Sequence, residues 1–67
     1  ASANWDKPDL PNSATTAQWA AWNKDHPQNV AGLIGQASSL MVENQYQSAL
    51  DLLDQALKID DRVVFEN

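Results

Sequence analysis

His26 is the one imidazole of the chain, and there is no cysteine. A hydrolytic nucleophile needs a base beside it, and that base must be oriented by a third group. Ser13, Ser38, Ser39 and Ser48 all fall in helix-capping or helical contexts without such a motif. His26 stands before Pro27 and reads as a loop residue between two helices. Asp25 alone beside it does not build a metal site. Asp51 and Asp54 lie three apart and share a helix face, the spacing of paired carboxylates in acid–base work. They fall on the wet side of their helix, however, where nothing desolvates them. Asp60 and Asp61 sit at the negative end of that helix, with Lys58 and Arg62 to offset them. There is no Asp-x-Asp-x-Asp-Gly calcium loop. The sequence therefore predicts no catalytic, cofactor-binding or metal residues, and a protein that is not an enzyme.

The elements that would position any site must come from 67 residues, enough for one small domain. Lys and Arg number 4 against 9 Asp and Glu, a net charge of −5. A chain of that charge repels phosphate backbones, which disfavours nucleic acid. No apolar run approaches the ~20 residues of a membrane-spanning helix. A core this small seldom supplies more than roughly 3–5 kcal/mol, and here neither disulfides nor metals can assist. Good packing, a partner or a larger parent must compensate. Trp5, Trp19 and Trp22 are expected to form one aromatic cluster on neighbouring helices. An exposed stacking platform for a sugar or peptide is the functional alternative.

Residues 1–12 read as an extended arm, because Pro8 and Pro11 forbid a regular helix. Trp5 and Leu10 are its sizeable apolar groups and should pin it. Ala1-Ser2-Ala3 resembles the small-residue end of a cleaved export signal, a lean towards an exported or periplasmic setting. The helical domain is expected over 13–67. Asn12-Ser13 offers caps for a first helix over 14–25, ended by Pro27. A second helix is expected over 28–43, with Val30, Leu33, Ile34, Ala37, Leu40 and Met41 in an amphipathic pattern. Gly32 and Gly35 weaken it by ~1 kcal/mol each against Ala, which points to close helix–helix approach. Asn44 suits a left-handed residue before a third helix over 46–60. That helix carries two apolar seams. Residues 46, 49, 50, 53 and 57 form one, and Leu52, Ala56 and Ile59 form a second that two neighbours within this chain should leave uncovered.

The stretch Asn29–Asp61 resembles one tetratricopeptide repeat. Small Ala37, then Tyr46, Ala49, Leu53, Ala56 and Leu57, sit at that family's spacing. The ending Ala56-Leu57-Lys58-Ile59-Asp60-Asp61 is close to its A-L-x-L-D-P, with Asp61 in place of Pro. A partial copy lies one 34-residue period upstream. There Pro27 stands one period before Asp61 and with Asn29 gives the family's P-x-N exit, while Lys24 matches Lys58 and Trp19 matches Leu53. Gln36 and Trp22 depart from the pattern. The resemblance implies an all-α, right-handed antiparallel array of three helices, and a scaffold or protein-interaction module. It places the groove at Ala31, Ile34, Ser38, Met41 and Val42.

The function expected is protein–protein interaction, as a piece of a larger protein or as a self-associating unit. The partner is then a protein or peptide, with a homodimer as the simplest closed assembly. Leu52, Ile59, Val63, Val64 and Phe65 are the expected association residues, followed by Ile34 and Met41 in the groove. A small exported bundle that folds alone, or a ligand-binding module using the Trp cluster, are the alternatives.

Overall fold

A computed structural model describes residues 4–61. Three helices run in order: α1 (Thr16–Asp25), α2 (Val30–Val42) and α3 (Tyr46–Ile59). Among the described residues there is no strand, only an isolated bridge between Asn4 and Asn29. The chain is all-α.

Helix α1 begins two residues later than the sequence suggests, because Thr15 rather than Asn12 or Ser13 caps it. The Gln18 N–H donates to Thr15 Oγ1 at 3.2 Å, and the Thr15 N–H donates to Gln18 Oε1 at 2.8 Å. This reciprocal pair satisfies two amide groups at the helix entrance. Helix α2 also starts late. Pro27 lies in a turn closed by the Asn29 N–H on the His26 carbonyl at 3.0 Å, and Asn29 then caps α2 by accepting from the Gly32 N–H at 2.7 Å. At the other end of α2, Asn44 adopts φ 63°, as its type suggested. Its N–H reaches the Met41 carbonyl and that of Gln45 the Leu40 carbonyl, which satisfies two last-turn acceptors and reverses the chain.

Helix α2 is the middle layer, and α1 and α3 make no contact with each other. Thr16 faces Ser39, Trp19 faces Gly35 and Asn23 faces Gly32, so α1 and α2 run antiparallel. Leu40 and Ala37 cluster with Ala49, while Val30 and Leu33 cluster with Ala56, so α2 and α3 also run antiparallel. Ala49 and Ala56 are fully buried, and such small residues let two helices approach closely. This line of small residues sets the roll of α3. Leu52 and Ile59 flank it on one side, Leu53 and Leu57 on the other, all half-buried against the core clusters.

That roll differs from the expectation of an uncovered second seam. Leu52 and Ile59 pack against α2, and Tyr46 and Leu50 of the first seam are the large apolar side chains of α3 left in solvent. Eight apolar side chains are buried among the described residues, and four of them are alanine. Each larger one adds about 1.5–3 kcal/mol, so the apolar core alone is thin. Polar fastening supplements it. Asn23 donates from Nδ2 to the Gly32 carbonyl and to Gln36 Oε1, both at 3.0 Å, across the α1–α2 contact.

Candidate binding surfaces

The arm is held to the helices by backbone and side-chain bonds together. The Asn4 N–H donates to the Gln28 carbonyl at 3.2 Å, and the Val30 N–H donates to the Asn4 carbonyl at 2.8 Å. Buried Asn29, besides capping α2, donates from Nδ2 to the Asp6 carbonyl at 2.9 Å. Two indoles complete the fastening. Trp5 Nε1 donates to Asp60 Oδ2 and Trp22 Nε1 donates to Asp9 Oδ1, each at 2.7 Å. These short bonds to carboxylates are the charge-assisted kind.

The three tryptophans do not form one cluster. Trp19 and Trp22 meet edge to face with centroids 6.4 Å apart. Trp5 stands apart at the arm, 45% exposed but tethered through its N–H. Trp19 is 3% exposed and cannot act as an open platform. His26 stacks on Trp22 at 3.9 Å and 14°, and its Nδ1 donates to the Trp22 carbonyl at 2.9 Å. The imidazole thus closes the end of α1, as a loop residue beside helix ends should. Asp51 and Asp54 are exposed, and Asp51 accepts from Gln47 Nε2 at 3.2 Å. Asp60, by contrast, is buried as the acceptor for Trp5. Nothing in its local sequence signals this, because the partner lies 55 residues away.

Two surfaces stand out. The first is a half-open cleft of about 560 Å³ between the arm and the free face of α2. Ala31, Ile34 and Ser38 of the expected groove line it, with Trp19 behind and Trp5, Pro8 and Leu10 as the opposite wall. The second is an apolar edge around the α2–α3 turn. Among the described residues five large apolar side chains are exposed, and four of them, Met41, Val42, Tyr46 and Leu50, fall in residues 41–50. Of the residues expected to bind a partner, Met41 lies in this edge, Ile34 in the cleft, and Leu52 and Ile59 beside the core. Val63, Val64 and Phe65 lie outside the described residues.

No protein-family model, curated protein or solved structure matches the chain. Among the described residues no helix is long and apolar enough to cross a membrane.

Proposed function

We propose that this chain is a non-enzymatic protein-interaction module of tetratricopeptide-like type, which self-associates through the apolar edge of α3 and the α2–α3 turn. The observation that carries the reading is the concentration of exposed apolar side chains at residues 41–50. Tyr46 and Leu50 are one helical turn apart and present a common face. Grouped apolar exposure of this kind marks contact sites, whereas isolated exposed side chains do not. The layering supports the same reading. Among the described residues α2 is the one helix that packs on α3, and Tyr46 and Leu50 stay exposed. A second copy placed there by a two-fold axis covers this face in both copies at once.

Each copy carries −5, so like charges oppose the association. Salt screens that repulsion, and the dimer is expected to strengthen as salt rises. Sedimentation over a concentration series tests this directly. The expected result is a monomer–dimer equilibrium that Leu50→Lys shifts to monomer without altering the helical circular dichroism. A compact monomer at every concentration and salt level overturns the reading.

A further inference from the structure

We propose that the cleft between the arm and α2 is a binding site for a linear apolar molecule ending in a single carboxylate, of the medium-chain fatty-acid class. This site is distinct from the self-association edge and does not depend on it. At about 560 Å³ the cleft lies within the size range of small-molecule sites. Its walls are largely apolar, with Pro8 and Leu10 on one side, Ile34 on the other, and the indoles of Trp5 and Trp19.

The charge of the lining sets the head group. The chain has 9 carboxylate residues against 4 cationic ones, yet among the described residues no Asp or Glu lines this cleft. Its polar lining is Lys7, Asn12 and Ser38, one ammonium and two neutral donors. Lys24 and Lys58, the other described cations, do not line it. Trp19 adds apolar ring surface to this wall, with its ring carbons laid against Gly35. An apolar cleft with donors and a lone cation, in an otherwise acidic molecule, complements an apolar body with one negative end.

The same inventory argues against a peptide as the occupant. Each peptide residue brings an N–H and a C=O that need partners once covered. Three polar side chains provide too few for an extended segment, whereas an acyl chain asks for none along its length. The site is also largely assembled in advance. Trp5 is exposed at 45% but fixed by its bond to Asp60, so little side-chain freedom remains to be lost when a chain lies against it.

The test uses three probes with one ten-carbon tail, decanoate, 1-decanol and decyltrimethylammonium, followed by tryptophan emission and calorimetry on the full chain. Saturable binding in the order decanoate, decanol, decyltrimethylammonium is expected. Lys7→Gln, at an exposed position, should weaken decanoate by about two- to five-fold, the scale of an exposed ion pair, and leave decanol unchanged. Ala31→Phe fills the cleft and should weaken decanoate and decanol by more than about tenfold, or about 1.4 kcal/mol, with unchanged helical circular dichroism. Equal affinity for the three head groups, or indifference to Lys7→Gln, overturns the carboxylate. Binding that survives Ala31→Phe, or no saturable binding, overturns the cleft. Tighter binding of a free apolar tripeptide than of decanoate overturns the acyl-chain class.

Discussion

Substituting Gly35 by alanine sets helix propensity against packing in a case where the two have opposite signs. Alanine in a helix interior is favoured over glycine by about 1 kcal/mol, so an open site would be stabilised. At Gly35 the added methyl would lie 2.7 Å from both Cη2 and Cζ2 of Trp19 and 2.9 Å from Cε2. Carbon atoms rest at roughly 3.5–4.0 Å, so the indole must retreat by about 1 Å. Trp19 is buried and edge-packed on Trp22, which leaves it little room. Overpacking of this kind costs typically about 1–3 kcal/mol, which leaves a net loss of about 1 kcal/mol after the propensity gain. For a domain this size that lowers the melting temperature by about 4–8 °C. Urea unfolding followed by circular dichroism measures it. The decisive arm is the same substitution in a Trp19→Phe background. Phenylalanine lacks the second ring of the indole, so the methyl finds space and Gly35→Ala should there stabilise by about 1 kcal/mol. A stabilising Gly35→Ala in the wild-type chain, or the same effect in both backgrounds, refutes the reasoning.

Three other substitutions test the fastening of the arm and helices. Trp5→Phe keeps the apolar ring but removes the N–H held by Asp60, and the Val30 amide, which donates to Asn4, should exchange with solvent about tenfold faster; unchanged exchange there would show that the indole does not hold the arm. Asn29→Ala removes the cap on Gly32 and the bond to the Asp6 carbonyl from a buried position, at a cost of about 2 kcal/mol in urea unfolding. Asn29→Asp restores the cap alone and should fall between that variant and wild type, and equality with Asn29→Ala would mean the cap contributes nothing. Thr15→Ala breaks the reciprocal pair with Gln18 and should lower stability by about 1 kcal/mol, read by thermal unfolding; an unshifted midpoint would place the start of α1 elsewhere.

The helices were legible because their cues are local. The 3–4 spacing of apolar residues marks α2, and Asn44 marks its end through its tolerance of positive φ. The start of α1 is less legible, since Asn12, Ser13 and Thr15 are all competent caps and only Thr15 has Gln18 three residues on. The roll of α3 is not legible from its apolar residues alone. Two apolar seams were visible, but the contact line runs through the small residues Ala49 and Ala56 rather than through the largest ones. The glycines of α2 did mark close approach, although what approaches is the side-chain surface of Trp19, Trp22 and Asn23. Ala31, Ile34 and Ser38, which the repeat resemblance assigns to a groove, line the cleft, while no local cue marks the arm as its opposite wall. Trp5 and Asp60 are 55 residues apart, and Asn23 and Asn29 look like ordinary polar surface until their neighbours are in place.

The bond between Trp5 and Asp60 joins the first stretch of described chain to its last. Tension applied across those two points would reach this clasp before any helix was loaded along its axis. Its release would pass the load to the bonds of Asn4, Asp6 and Asp9, and the arm would peel off while the α2–α3 clusters stayed packed, since neither cluster includes an arm residue. The molecule would then yield in two stages under load, first by peeling and only later by loss of its core.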